Sequence, residues 1–193
     1  ERKGEPTVLL ITKGLGDLLR IGYQNRPRLF ELNIQLPDLI YGDVIEIEER
    51  MAADGEVLIA CNQKESVKAL EGAFAKGYRS VAIALMHSYR YPSHEKILGK
   101  LAQQVGFSQV SLSHKASPLI KLVSRGDTAV VDAYLTPILR HHIGKVSDAL
   151  ATNPDESQRL MFMRSNGGLT DARLFEGRDA ILSGPAGGVV GMA

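Results

Sequence analysis

The stretch "SVAIALMHSYRYPSHEKILGKLAQQVGFSQVSLS", residues 80–113, decides the fold class. It opens on an apolar run typical of a buried strand and closes on a second short strand pattern, "QVSLS". Between them, Pro92 marks the start of a helix, and apolar residues recur at helical spacing until Gly106 ends it. A strand, a helix and a strand of these lengths predict two parallel strands joined by a covering helix.

The rest of the chain repeats this alternation. "TVLLIT" (residues 7–12) predicts another buried strand, and Asn62 with Glu65 resembles a capping box that starts a helix ending at Gly77. "LMFM" (residues 160–163) predicts a fourth strand. In "DVIEIEERMAADGEVLIA" (residues 43–60), the turn signal Asp54-Gly55 predicts a hairpin. The whole predicts an α/β fold, a largely parallel sheet with covering helices and a β-hairpin insertion.

A long amphipathic helix is predicted over residues 127–150. Its apolar stripe consists of Val131, Leu135, Leu139, Ile143, Val146 and Leu150, spaced by three or four residues. Pro137 lies inside it and cannot donate a backbone hydrogen bond, so we expect a kink there.

Composition excludes several classes of function. The 193 residues include 23 Lys and Arg against 22 Asp and Glu, which gives no electrostatic case for a nucleic-acid or membrane partner. No apolar run approaches the length of a membrane span. One cysteine, Cys61, excludes an internal disulfide and fits a reducing compartment, so we expect a cytoplasmic protein.

Two glycine-rich turns follow predicted strands, where open α/β sheets bind ligands. They are "TKGLGD" (residues 12–17) and "RSNGGL" (residues 164–169). Glycines there let backbone N–H groups approach an anion. For "TKGLGD" an ordinary strand-to-helix turn is the favoured interpretation, whereas for "RSNGGL" the two interpretations are balanced, because Ser165 and Asn166 add hydrogen-bonding side chains at the end of the strand. Neither matches the P-loop or the dinucleotide fingerprint.

No catalytic constellation emerges from the remaining residues. His87, His94 and His114 are scattered without a metal-binding pattern, and His141 and His142 are expected to be partly buried in the long helix. The acidic run "EIEERM" (residues 46–51) predicts a solvated strand face.

"FMRSNGGL" (residues 162–169) and "LSGPAGGVVG" (residues 182–191) together resemble the hydantoinase A/5-oxoprolinase family. The resemblance extends to "TKGLGDLLRIGYQNRPRLFEL" (residues 12–32), "ALMHSYRYPSHE" (residues 84–95) and "RGDTAVVDAYLTPIL" (residues 125–139). "RPRLFELNIQLPDLIYGDVIEIEERM" (residues 26–51) looks closer to the 5-oxoprolinase branch than to bacterial hydantoinase subunits.

The resemblance implies a lobe of an actin-like (ribonuclease H-like, sugar-kinase-like) ATPase. The 5-oxoprolinase branch uses ATP, with Mg²⁺, to open the lactam of 5-oxo-L-proline to L-glutamate, a step of glutathione metabolism. The family's two phosphate loops would precede Glu1 and follow Ala193, so we expect an excised piece that is inactive alone. A hydantoinase or acetone-carboxylase-type subunit and a non-catalytic subunit-docking lobe are the alternatives.

The resemblance also implies how the chain is divided into regions and which residues line the cleft between the lobes. Residues 1–115 would end the N-terminal region, with a hairpin insertion at about residues 33–60, and residues 116–193 would begin the hydantoinase A region and end at an inter-lobe crossover helix. The implied residues of the substrate or ATP cleft are Ser165, Asn166, Gly167, Gly168, Ser183, Gly184, Asp17 and Arg20, and the implied hinge residues are Gly187, Gly188 and Gly191. The implied partners are a cyclic amide and the remaining lobes of the parent or a B-type subunit, with the parent a homo-oligomer.

Overall fold

Parallel strands form the central layer of the chain, in a computed structural model that describes residues 3–24, 28, 30–36, 38–150 and 160–192. The strands are β1 (Thr7–Thr12), β2 (Asp43–Ile47), β3 (Arg50–Met51), β4 (Val57–Ile59), β5 (Ser80–Ala84), β6 (Gln109–Leu112), β7 (Met161–Met163) and β8 (Leu169–Asp171). The helices are α1 (Leu18–Ile21), α2 (Gln63–Ala75), α3 (Ser93–Val105), α4 (Ser113–Ala116), α5 (Leu122–Leu150), α6 (Gly177–Ala180) and α7 (Ser183–Met192). Pro37, in the predicted insertion, and residues 151–159 and Ala193, in the second predicted domain, lie outside the described residues.

The main sheet has the order β2-β1-β5-β6, and every adjacent pair is parallel. This confirms the predicted α/β class. The fourth parallel strand is β2, however, and not the predicted "LMFM" strand. β7 instead pairs antiparallel with β8 in a separate two-stranded sheet, because the chain returns after a short turn without a crossover helix.

Alternating side chains of β1 supply two cores. Val8 and Leu10 point to one face, where α2 and α3 pack, and Leu9 and Ile11 point to the other, where α1 and α5 pack. A strand buried on both faces has no polar alternation. This explains why "TVLLIT" is apolar without interruption.

Local signals place the helix ends where the sequence predicts them. The Asn62 side chain accepts a hydrogen bond from the backbone N–H of Glu65 at the start of α2. Gly77 and Gly106 have φ values of +98° and +112° just after α2 and α3, a conformation that glycine adopts at little cost. The predicted hairpin is confirmed for β3 and β4, which are antiparallel around a turn containing Gly55. Residues 43–47 of the predicted insertion instead form β2 of the main sheet, because they pair parallel with β1.

The buried face of α5 differs from the predicted stripe. Ala129, Val130 and Ala133 are buried against the sheet, whereas most of the predicted stripe is partly or fully exposed and Ile143 alone of that set is buried. Small residues let α5 approach the sheet closely, so they and not the larger apolar residues face the core. His141 and His142 are exposed, contrary to expectation. The helix continues through Pro137.

No helix among the described residues is both long enough and apolar enough to cross a bilayer.

Candidate functional site

The residues of "RSNGG" form the turn between β7 and β8, not the predicted strand-to-helix turn. The backbone N–H of Arg164 donates to the carbonyl of Gly168 at 2.8 Å, and that of Gly167 donates to the carbonyl of Arg164 at 2.9 Å. Gly167 has φ +82°, and the exposed Asn166 accepts the Gly168 N–H through Oδ1 at 3.0 Å. The glycine N–H groups of this turn are therefore engaged within it.

Ser165 fastens the turn to the following helices. Its hydroxyl donates to the carbonyl of Asp179 at 2.6 Å and accepts from the N–H of Leu182 at 3.0 Å. The Ser183 hydroxyl donates to the carbonyl of Ala180 at 3.0 Å. These bonds fix the position of the turn relative to the start of α7.

The glycines of α7 face largely open space. A Cβ at Gly184, Gly188 or Gly191 would meet no other atom within 4 Å, whereas one at Gly187 would lie 3.7 Å from Met163 Cγ. No residue of α7 is buried, and Val189 is 65% exposed. Gly184, Gly188 and Gly191 are spaced by four and three residues, so they share one uncovered helix face.

The turn after β1 binds a carboxylate of the protein itself, the side chain of Glu46. The backbone N–H groups of Gly14 and Gly16 both donate to Glu46 Oε1, at 2.8 and 2.9 Å. Asp17 is exposed at the start of α1, and Arg20 is exposed at its end. Glu46 and Glu48 of "EIEERM" are exposed, as expected of a solvated strand face, whereas Glu49 is buried, so the expectation is wrong for Glu49.

The candidate residues fall in two regions. Leu19 of α1 lies against Gly126 of α5, and Gly177 of α6 lies against Thr136 of the same helix. Positions 126 and 136 are about 15 Å apart along the axis of an α-helix. Asp17 and Arg20 therefore occupy a different part of the lobe from Ser165 and Asn166.

A buried ionic cluster that no local sequence pattern reveals lies at the carboxyl ends of β5 and β6. Glu95 and Arg125 are both fully buried, with Arg125 Nη1 3.5 Å from Glu95 Oε1. The guanidinium also donates to the hydroxyls of Ser88 and Ser113 and to the carbonyls of Leu85, at 2.9 Å, and Leu119, at 3.1 Å. The buried cation is thus surrounded by acceptors from four different segments.

Glu95 accepts hydrogen bonds on both oxygens. Oε1 accepts from the Leu85 N–H at 3.0 Å and from the hydroxyls of Ser88 and Ser113, and Oε2 lies 2.6 Å from His114 Nδ1. Burial by itself would raise the pKa of Glu95, but these hydrogen bonds outweigh it and hold the pKa below its ordinary value. Glu95 therefore stays ionised beside Arg125.

A second buried carboxylate, Glu49, lies at the same edge of the sheet. It accepts from the Thr12 hydroxyl and lies 2.7 Å from His94 Nδ1 through its other oxygen. The Thr12 hydroxyl in turn accepts the Met86 N–H at 2.9 Å. A carboxylate therefore orients each of the two imidazoles, that of His94 and that of His114. Sequence spacing does not reveal the partner of His94, because Glu49 lies 45 residues away.

Arg50 joins the loops that follow β1 and β5. Its guanidinium donates to the carbonyl of Lys13 at 3.1 Å and to Met86 Sδ at 3.2 Å. β1 and β5 are neighbours at the point where the strand order reverses, where such sheets bind ligands. His87 adopts φ +57°, uncommon for a residue with a side chain.

The described residues do not by themselves fit a nucleotide and its metal ion. A triphosphate needs N–H donors that are not already engaged, whereas Gly14, Gly16, Gly167 and Gly168 donate within the protein. Among these residues, no group of three His, Cys, Asp or Glu side chains could hold a metal ion. What they form is a rigid sheet edge with an exposed turn and helix beside it.

Comparison with known families identifies the chain. The model for the hydantoinase/oxoprolinase N-terminal region matches residues 1–106, and the hydantoinase/oxoprolinase model matches residues 125–193. This chain belongs to the hydantoinase/oxoprolinase family. The 5-oxoprolinase of Dictyostelium discoideum is 40% identical to it over 99% of the chain, which spans 17% of that relative.

Two solved structures share the fold. A nucleotide-free acetone carboxylase superposes with a TM-score of 0.83 at 24% identity, over 99% of this chain and 29% of its own. The ATP-dependent caprolactamase from Pseudomonas jessenii gives a TM-score of 0.82 at 27% identity, over 95% and 27%. These matches confirm the predicted actin-like ATPase-type fold.

Proposed function

We propose that this chain is a segment of an ATP-dependent 5-oxoprolinase, which opens the lactam of 5-oxo-L-proline to L-glutamate as ATP is hydrolysed. The 40% identity to the Dictyostelium 5-oxoprolinase over nearly the whole chain carries the proposal. A lactam carbonyl resists water, and ATP with Mg²⁺ supplies the activation when bound. Because the described residues do not cradle a triphosphate, this segment acts beside the nucleotide and not as its phosphate loop.

Part of the segment's contribution is structural and positional. The buried Glu95–Arg125 cluster holds the sheet edge rigid, and Ser165 sets the "RSNGG" turn against α6 and α7. We assign Asn166, exposed at the tip of that turn, to the rim of the nucleotide cleft. The exposed surface of α7 is assigned to the remaining lobes of a cytoplasmic parent or to a B-type subunit, because Val189, Val190 and Met192 are exposed there beside the glycine face.

A second candidate is another ATP-dependent cyclic amide hydrolase. The 27% identity to the caprolactamase favours it, since that enzyme also acts on a lactam. In both cases the nucleotide drives amide opening, and the two proposals differ only in the ring that is opened.

The deciding experiment follows ATP hydrolysis by the full-length protein with and without 5-oxo-L-proline, with phosphate and glutamate measured together. Release of both in equal amounts supports the 5-oxoprolinase. ATP hydrolysis that ignores 5-oxo-L-proline and responds to caprolactam or a hydantoin instead supports the second candidate.

Asn166→Ala tests the rim assignment. We expect turnover of the full-length protein to fall about tenfold, the factor that one hydrogen bond of ~1.4 kcal/mol represents, with a loss of stability of about 1 kcal/mol at most, because the exposed Gly168 N–H loses its acceptor. Asn62→Ala is the matched control, because Asn62 is also exposed and also accepts one backbone N–H. It should lose about 1 kcal/mol of stability and keep its turnover. Normal kinetics in Asn166→Ala would remove the turn from the site.

Gly188→Val tests the packing of α7 against the rest of the parent. Since open space surrounds Gly188 here, valine should cost little within this segment, yet it should lower turnover and ATP affinity by preventing close approach of another lobe. Gly72→Val on the exposed side of α2, where a Cβ also meets nothing, controls for the loss of helix propensity. Equal kinetics in the two variants would reject the hinge role of Gly187, Gly188 and Gly191.

A further inference from the structure

A cavity of about 570 Å³ lies away from the "RSNGG" turn, and its size is typical of small-molecule sites. Its walls come from α1 and the turn after it, from residues 34–36 and 38–41, and from the first half of α5. The apolar lining consists mainly of Leu19, Ile34, Leu36, Leu39, Ile40 and Val130.

Tyr41 lines this cavity, and its hydroxyl lies buried behind the cavity wall. The residue is 8% exposed, and among the described residues its buried hydroxyl has no hydrogen-bond partner. A buried hydroxyl without a partner costs free energy, so its retention calls for an explanation. A ligand atom that accepts its proton supplies one.

Two side chains of opposite charge lie in the wall of the same cavity. Asp127 and Arg20 both line the cavity, and within the described residues neither forms an ion pair or a side-chain hydrogen bond. Burial raises the pKa of Tyr41, the charge of Asp127 raises it further, and the charge of Arg20 opposes them. Both charges therefore act at the hydroxyl while remaining available to a ligand. Burial also raises the pKa of Asp127.

We propose that this cavity binds a small cyclic amide, the substrate class of the proposed function on which this inference rests. The amide N–H donates to Asp127, the ring carbonyl accepts from the Tyr41 hydroxyl, and the methylene groups lie against Leu19 and Ile40. Arg20 pairs with a carboxylate on the ring, which 5-oxo-L-proline carries. Because solvent does not reach the hydroxyl, contact requires a small rearrangement of the side chains that cover it.

The test uses Tyr41→Phe, Asp127→Ala and Arg20→Gln in the full-length protein. Binding of 5-oxo-L-proline and of 2-pyrrolidinone, the same ring without the carboxylate, is measured by calorimetry without ATP. KM values for 5-oxo-L-proline and ATP and melting temperatures complete the set. Tyr134→Phe is the matched control, because Tyr134 is half-buried on α5 outside the cavity.

Tyr41→Phe should weaken the binding of both rings about fivefold while leaving the melting temperature unchanged or higher, because it removes an unpaired hydroxyl. Asp127→Ala should weaken both about tenfold. Arg20→Gln should weaken 5-oxo-L-proline about tenfold and leave 2-pyrrolidinone unchanged. The KM for ATP should stay constant in all three.

Wild-type glutamate release with unchanged lactam binding in Tyr41→Phe and Asp127→Ala would overturn the cavity assignment and leave the proposed function standing. If the wild type releases no glutamate, the proposed function fails, and the 2-pyrrolidinone titration decides the cavity separately. Weaker binding of 2-pyrrolidinone by Tyr41→Phe and Asp127→Ala then supports the cavity assignment. Binding by these variants equal to that of Tyr134→Phe overturns the cavity assignment.

Discussion

Glu95→Ala is expected to destabilise the protein by about 3–5 kcal/mol, the cost of leaving a buried partner charge uncompensated. Arg125 is fully buried and would lose the carboxylate 3.5 Å away, although the hydroxyls of Ser88 and Ser113 would remain as acceptors. The backbone N–H of Leu85 and the imidazole of His114 would also lose their partner. The measurement is urea unfolding followed by circular dichroism.

Glu71→Ala on the exposed side of α2 is the control, and it should change stability by less than about 0.5 kcal/mol. A cost below about 1 kcal/mol in Glu95→Ala would mean that Arg125 is satisfied without the carboxylate. The pH dependence gives a second check. Since the pKa of Glu95 is lowered in the folded state, its contribution is present above the unfolded pKa of about 4.3 and is lost at more acid pH. The gap between wild type and variant should therefore shrink as the pH falls below about 4.

The strands and helix ends could be predicted from the sequence because local chemistry sets them. An uninterrupted apolar run can be stable only when both faces are covered, and β1 and β5 have that pattern. One side-chain hydrogen bond from Asn62 and one left-handed glycine at position 77 mark the two ends of α2. None of these signals depends on distant residues.

The buried carboxylates could not be predicted in that way. Nothing in the local sequence separates Glu49 from its exposed neighbour Glu48, since the partners of Glu49 are Thr12 and His94, 37 and 45 residues away. Glycine after a strand likewise fits a hairpin turn and a strand-to-helix turn equally. Only the pairing of β7 with the three-residue β8 distinguishes them for Gly167.

Gly177→Ala is expected to destabilise the protein by about 2–3 kcal/mol through overpacking. A Cβ at this position would lie 2.9 Å from the Asp132 carbonyl oxygen and from the Thr136 backbone nitrogen, and helix backbone cannot move aside cheaply. The Gly177 N–H also donates to the Thr136 hydroxyl at 2.8 Å, a bond that requires this close approach. The measurement is urea unfolding under the conditions used for the Glu95 variant.

Gly72→Ala is the matched control and should have the opposite sign, since nothing lies within 4 Å of a Cβ there and alanine favours an exposed helix by about 0.5–1 kcal/mol. The functional consequence follows from the Asp179 carbonyl, which holds both the N–H and the hydroxyl of Ser165. Displacing α6 from α5 must move the "RSNGG" turn with it. Gly177→Ala should therefore lower turnover of the full-length protein even at a temperature where it is fully folded. Normal turnover under those conditions would show that the position of the turn does not matter for the reaction.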